Sequence, residues 1–171
     1  MKTPYKLEKM CDAHGPSIMR ILNHYVTEDF SAFFDTVLPE TFFTRLRETA
    51  DGYPSVVALN EENEIVGFGL LRPYHPAHTF RRTSELSYFI SPEHTRKGIG
   101  GMILNTLIQE ASQLGIDRLL ASISSLNPAS LAFHTKNSFE EVGRLKGIGC
   151  KFGRDFDIVY MQRILTNNNG R

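Results

Sequence analysis

The sequence predicts an α/β domain built on one mixed sheet, mostly antiparallel in its first half, with helices on its faces. Three observations carry this. Short runs rich in β-branched and aromatic residues, "PSVVALN", "EIVGFGLL" and "SELSYFI", follow one another with only polar or proline-bearing connections. Ile99, Ile103, Leu107, Ala111 and Leu114 then recur every three or four residues, the period of a helix. A further apolar run, "RLLASIS", stands after that helix and reads as a buried strand.

Each element follows in order. Residues near Tyr5–Lys9 read as a short strand. Asp12 is a candidate helix cap, and Ile18, Ile21, Leu22 and Tyr25 fall at helical spacing, which gives a first helix to about Val26. "SAFFDT" is an aromatic loop. Pro39 suits the first turn of a second helix with Phe42, Phe43 and Leu46 on its apolar face. The next two strands join through the polar turn "EEN" as a hairpin. "RPYHPAHTFRR" reads as an exposed loop, and "SELSYFI" as a third strand. The long helix ends at Gly115. Asn127-Pro128 opens a short helix, with Leu131 and Phe133 available for packing, and "FEEVGRLK" and "DIVYMQRIL" close the chain as strands. No repeat and no linker interrupts this order. Residues 1–165 are therefore expected to form one domain, with 166–171 a polar, disordered tail.

Composition removes several classes of function. With 19 Lys+Arg against 19 Asp+Glu the chain has no net charge, which gives no support to a general nucleic-acid or anionic-membrane binder. Two cysteines, Cys11 and Cys150, make no disulfide framework; two reduced thiols in a cytoplasmic protein are expected. The first ten residues lack the apolar stretch of a signal peptide, and no run is long enough to cross a bilayer. His14, His24, His75, His78 and His94 show no ligand spacing, so no metal is expected.

The stretch "HTRKGIGG", His94 to Gly101, stands between a strand and a helix. It is no P-loop, because Lys97 precedes Gly98 and Gly101 is followed by Met102. It is no dinucleotide fingerprint either, because the third glycine would fall on Ile103. What remains is a glycine turn with adjacent cations at a helix N-terminus. Free N–H groups and the positive end of the helix dipole favour a pyrophosphate there. A plain β–α turn, with glycines for tightness, is the alternative.

"ELSYFISPEHTRKGIGGMILNTLI" resembles the cofactor motif of the GNAT superfamily of N-acetyltransferases, whose signature is Arg/Gln-x-x-Gly-x-Gly/Ala; Arg96-Lys97-Gly98-Ile99-Gly100-Gly101 is the stretch that carries it. "NPASLAFHTKNSF" resembles the superfamily's second motif, with Asn127, Ser130 and His134 in place. "VGRLKGIGCKFGRDFDIVYMQRIL" resembles the C-terminal stretch of the phosphinothricin and methionine sulfone acetyltransferase group, and "RILNHYV", "GYPSVVA" and "FRRTSELSYFI" are similar to that group's segments. The chain departs from the group in having no Trp, in Asp155 after "KFGR", and in Asn137-Ser138 before Phe139. The resemblance implies a mixed sheet splayed at the cofactor, acetyl-CoA as co-substrate, a small amino-acid-like acceptor of the methionine sulfone, methionine sulfoximine or phosphinothricin type, and a homodimer. Protein N-termini and polyamines are alternative acceptors. A non-catalytic acetyl-CoA sensor is the alternative outside enzymes.

Acetyl transfer from a thioester to an amine has three needs. The ammonium, with a pKa near about 10, must lose a proton, the carbonyl's developing charge must be held, and the thiolate must leave. Glu85 is the candidate base, which the resemblance places beside the acceptor amine; a solvated strand carboxylate is the plainer reading. Tyr88, Phe89 and Ile90 are implied to act through backbone groups on the pantetheine arm and the thioester carbonyl, their side chains packing in the core. Arg96, Lys97, Gly98, Ile99, Gly100 and Gly101 are expected to hold the pyrophosphate. Asn127 is implied to bond the arm, or else simply to cap its helix, and Ser130 is a contact or an exposed serine. His134 is either the acid for the departing thiolate or a hydrogen-bonded helix histidine. For the acceptor, Arg72 could pair bidentately with a carboxylate, sulfone or phosphinate, with Arg81 and Arg82 as alternatives. Pro73, Tyr74, Leu86 and Ser87 accompany them, and Phe33 and Phe34 either wall the pocket or pack in the core.

Overall fold

Eleven elements arise from this pattern, and the computed structural model that gives them describes residues 4–165. The expected tail at 166–171 lies outside the described residues. The elements are β1 (Lys6–Lys9), α1 (Gly15–Glu28), α2 (Phe42–Thr49), β2 (Ser55–Leu59), β3 (Ile65–Pro73), β4 (Thr83–Ile90), α3 (Ile99–Gln113), β5 (Arg118–Ser124), α4 (Pro128–Lys136), β6 (Glu140–Lys151) and β7 (Arg154–Ile164). The strands form one seven-stranded sheet in the order β1-β2-β3-β4-β5-β7-β6. Every neighbouring pair is antiparallel except β4 and β5, which α3 connects in parallel.

The helix and strand boundaries differ from the expected ones where local chemistry is mixed. Asp12 lies inside a short 3-10 turn and does not cap α1, which starts at Gly15 with Pro16 in its first turn and runs on to Glu28. Pro39 stands in the turn before α2; its carbonyl accepts the Phe42 N–H at 2.9 Å, so the helix begins three residues late. Leu114 caps α3 and is exposed, because Gly115 turns the chain away with φ 75°. Arg72 and Pro73 belong to β3 and not to a loop: they pair with Glu85 and Ser84 of β4.

Two cores flank the sheet. On one face Ile99, Ile103, Leu104 and Leu107 of α3, all fully buried, meet Leu71, Leu86, Leu119 and Val159. Each such side chain contributes about 1.5–3 kcal/mol by leaving water. Gly69 makes this packing possible, since a Cβ there would come within 2.3 Å of the Ile103 side chain. On the other face α1 and α2 bury Ile18, Leu22, Val26 and Phe43 against Val57, Phe68 and Leu70.

One break in the ladder matters for function. β4 and β5 pair only at Thr83–Arg118, Ser84–Leu119 and Glu85–Leu120. Beyond Glu85 the two strands part, and residues 86–90 of β4 have no ladder partner on that side. The splay expected from the resemblance is therefore present, and it opens next to Glu85.

Candidate active site

Strand alternation sorts the candidates on β4 between the two faces. Phe89 packs with α1 and α2, while Leu86, Tyr88 and Ile90 pack toward α3. Glu85 and Ser87 share the face of Phe89. Leu86 is thus a core residue and not a pocket wall, being 7% exposed.

The glycine turn follows β4. A 3-10 turn over Pro92–His94 leads to Arg96 at φ 60° and Gly98 at φ 88°, both left-handed. Gly98 caps α3, whose first helical bond runs from the Met102 N–H to the Gly98 carbonyl at 3.2 Å. The amides of Ile99, Gly100 and Gly101 precede that bond, so no carbonyl of the helix itself is in place to receive them. The two glycines face opposite ways. A Cβ at Gly100 would meet Phe133 at 3.2 Å and Ile90 at 3.4 Å, whereas one at Gly101 would meet nothing within 4 Å. Of these two only Gly101 borders open space; Gly100, expected to help hold the pyrophosphate, has its Cβ direction buried against Phe133. Counting from Gly98 and Gly100 as the signature's two glycines puts its basic first position on Thr95, so the match starting at Arg96 is out of register by one. Arg96 and Lys97 remain exposed cations beside the helix end. Orphan amides, adjacent cations and open space at Gly101 fit a pyrophosphate.

On the sheet face that carries Glu85, an open cavity of about 300 Å³ is lined by Tyr74, Glu85, Leu120, Val142, Gly143 and Tyr160. The direct β3–β4 pairing of Arg72 with Glu85 brings their side chains into an ion pair, Nη2 to Oε2, at 2.6 Å. Glu85 is largely sheltered and Arg72 is half exposed. The other arginines are placed differently. Arg82 and Arg118 both pair with the buried carboxylate of Asp117, and Arg81 turns back toward the His78 carbonyl at 3.4 Å. Neither Arg81 nor Phe34 lines the cavity. Phe33 and Phe34 are not core residues: both are about half exposed, Phe33 stacked on Phe156 and Phe34 edge-on to Phe42.

α4 holds the remaining candidates. The Asn127 side chain caps the helix, accepting the Ser130 N–H at 3.1 Å, and its amide donates to the Ser31 hydroxyl at 2.9 Å. His134 is 2% exposed and packed among Tyr88, Phe133 and Phe139. Its Nδ1 lies 2.8 Å from the Ser130 carbonyl, which can only accept, so Nδ1 carries the proton of the neutral ring. Nε2 is buried and meets no protein partner among the described residues. Burial pushes the His134 pKa down, against the pull of the Ser130 carbonyl. Burial also pushes the Tyr88 hydroxyl well above its usual value. His134 lies on the α3 face and Glu85 on the other, so the splay between β4 and β5 is what separates, and connects, their sides.

Sequence reasoning missed Leu120, Val142, Gly143 and Tyr160, which reach the cavity from β5, β6 and β7; three of them lie in the C-terminal stretch that carries the resemblance, but nothing local says that they meet Glu85. It also missed the Arg72–Glu85 pair, which only the hairpin register reveals. Among the described residues no group of three or more His, Cys, Asp or Glu side chains is placed to hold a metal.

Comparison with known proteins agrees with this geometry. The acetyltransferase (GNAT) family model matches residues 18–139. An L-methionine sulfoximine/L-methionine sulfone acetyltransferase of Pseudomonas aeruginosa is 32% identical over 152 residues, 86% of this chain and 87% of that protein. The crystal structure of a phosphinothricin acetyltransferase from Sinorhizobium meliloti in complex with acetyl-CoA superposes with TM-score 0.90 at 30% identity, covering 97% of this chain and 91% of that one. That of a ribosomal-protein-alanine N-acetyltransferase from Brucella melitensis superposes with TM-score 0.86 at 33% identity, covering 94% and 99%. With a splayed sheet, an anion-ready helix end beside it and these relatives, the chain belongs to the acetyltransferase (GNAT) family and is an acetyl-CoA-dependent N-acetyltransferase.

Proposed function

We propose that the acceptor is a free α-amino acid with a strongly polar side chain, of the methionine sulfone, methionine sulfoximine or phosphinothricin kind, acetylated on its α-amine by direct attack in a ternary complex. The observation that carries this is the Arg72–Glu85 pair beside the cavity. An α-amino acid is a zwitterion. Its carboxylate suits the planar fork of Arg72 and its ammonium suits the carboxylate of Glu85. Entering between them replaces one ion pair with two and leaves Glu85 bonded to the nitrogen whose proton it takes. A polyamine has no carboxylate to offer Arg72, and a peptide N-terminus carries none on its first residue.

Acetyl-CoA supplies the acetyl group as an activated thioester. The amides at 99–101 with Arg96 and Lys97 would hold its pyrophosphate, and the unpaired β4 edge at 86–90 its extended arm. His134, neutral and buried, acts here by packing against Tyr88 and not as an acid. The resemblance to a ribosomal-protein-alanine N-acetyltransferase favours a second reading, a protein N-terminus as acceptor.

The reading includes a single domain over 1–165, a cytoplasmic setting, and no metal, nucleic-acid or membrane partner; balanced charge and two free, exposed thiols support it. It also includes a homodimer. β6 is an edge strand that exposes Val142, Leu145 and Ile148, and Val142 walls the cavity, so a second copy over that edge would close the acceptor site.

The test is thioester-consumption kinetics across methionine sulfone, methionine sulfoximine, phosphinothricin, common amino acids, spermidine and short peptides. The reading expects the three polar amino acids to give the highest kcat/KM. A peptide or spermidine that outran them all would overturn it.

A further inference from the structure

Lys151 is the most deeply buried cation among the described residues that carry one, at 3% exposed, and no role in transfer falls to it. It ends β6, in the two-residue hairpin to β7 formed by Phe152 at φ 51° and Gly153 at φ 71°. Its ammonium has three donors and gives each to a backbone carbonyl: Tyr25 at 3.2 Å, Asp29 at 2.7 Å and Ala32 at 2.8 Å. Tyr25 and Asp29 belong to the last turn of α1 and its cap, where carbonyls lack helical partners. Desolvation lowers the lysine's pKa, while the carboxylates of Asp29 and Asp35 oppose that shift.

The stapled segment, residues 25–32, touches both lips of the β4–β5 gap. From one end the Tyr25 hydroxyl donates to the Ile90 carbonyl, the last residue of β4, at 2.5 Å. From the other, the Ser31 hydroxyl accepts from the Asn127 amide, where the chain leaving β5 enters α4. β4 and β5 stop pairing at Glu85 and Leu120, so no ladder bond joins these lips to each other, although β3 and β7 hold each on its outer side. The segment bridges the opening as a brace, and Lys151 ties it to the β6–β7 hairpin, on which Phe30 also packs through Phe152 and Phe156.

We propose that Lys151 is a positioning residue that sets the width of the β4–β5 gap through Tyr25 and Ser31, and thereby the fit of the acetyl-CoA arm. The Tyr25 bond to Ile90 and the Ser31 bond to Asn127 keep the two edges at one separation only while residues 25–32 stay stapled. The proposal rests on the reading that the arm lies in this gap.

The experiment is a set of double-mutant cycles read by calorimetric binding of acetyl-CoA, with amide hydrogen exchange on the free protein. Lys151→Met keeps the stem and removes the three donors. Tyr25→Phe and Ser31→Ala each release one lip and leave the staple. Each single variant is expected to raise the acetyl-CoA Kd, Lys151→Met on the order of tenfold. Combining Tyr25→Phe or Ser31→Ala with Lys151→Met should add much less than it does alone. Amides at 86–90 should exchange faster in free Lys151→Met while those of α3 do not. If Lys151→Met only lowers Tm, keeps the acetyl-CoA Kd within twofold below that temperature, and speeds exchange everywhere alike, the proposal is overturned. Fully additive cycles overturn it too. Gly101→Asp separates the two readings: if it does not weaken acetyl-CoA, the cofactor placement is wrong; if it does while Lys151→Met does not, only the brace is wrong. Should Lys151→Met fail to fold, the Tyr25→Phe and Ser31→Ala pair decides, since both leave Lys151 in place and two unchanged Kd values would overturn the brace.

Discussion

Arg72 and Glu85 stand opposite each other across the β3–β4 hairpin, and their side chains close into an ion pair at 2.6 Å on the rim of the gap where β4 and β5 stop pairing. The pair is partly open to solvent, so its contribution to folding is at most about 1 kcal/mol. Its chemistry is that of a receptor for one positive and one negative group held close together.

Arg72→Ala is therefore expected to raise the KM of an amino-acid acceptor strongly while leaving acetyl-CoA affinity and Tm nearly unchanged. Arg72→Lys should recover little, because an ammonium does not reproduce the planar fork. Steady-state kinetics with methionine sulfone, paired with calorimetry, checks both halves. An Ala variant with the wild-type KM would move carboxylate binding elsewhere.

Glu85→Gln keeps the shape and removes the proton acceptor. General-base catalysis typically contributes about 10²–10⁴-fold, so kcat near neutral pH should fall within that range. The defect should shrink as pH rises, since more of the acceptor amine is then already unprotonated in solution. A defect of constant size up to the amine's own pKa would mean that Glu85 orients the acceptor without taking its proton.

At the helix end, Gly101→Asp should weaken acetyl-CoA binding with the fold retained, because a Cβ there meets open space and the carboxylate sits on the anion site. Gly100→Asp should instead cost stability, its side chain driven against Phe133 and Ile90. Gly98→Ala, at φ 88°, should lower stability by about 1–2 kcal/mol. Chemical denaturation and calorimetry on the three variants distinguish crowding, strain and charge.

His134 gives the protein an acid-sensitive component. Burial holds its folded-state pKa below the unfolded value of about 6.5. The unfolded chain then binds the proton first, so stability is complete above about pH 6.5 and declines as pH falls toward the folded pKa. Urea midpoints at pH 7.5, 6.5 and 5.5 should fall less steeply for His134→Gln than for the wild type. Parallel curves would show that the ring charges as easily inside the protein as outside.

Much of the fold was readable from periodicity, and the reason is physical. Ile99, Ile103, Leu107 and Ala111 each sit at 0% exposure, so the helical repeat was a direct image of the core. Short polar-rich junctions were less readable: Pro39 and Asp12 suit either a helix start or the turn before it, and here both take the turn. The glycine turn stood out because three glycines beside two cations have few other uses, yet which of Gly100 and Gly101 faces open space depended on Phe133, more than 30 residues away. Phe33 and Phe34 looked like core by type alone, and nothing local says that they lie half exposed. Lys151 was invisible for the same reason. A lysine in a hairpin normally reaches into water, and only the arrival of the end of α1 gives it three carbonyls instead.

The claim that the Arg72–Glu85 pair selects a zwitterion is tested most directly by a matched pair of acceptors, methionine sulfone and the same amine without its carboxylate. The measurement is kcat/KM for both, in the wild type and in Arg72→Ala. The wild type should favour the amino acid by roughly 10–100-fold, the worth of one charge-assisted contact pair, and the preference should collapse toward unity in Arg72→Ala. A preference of equal size in both proteins would contradict the account.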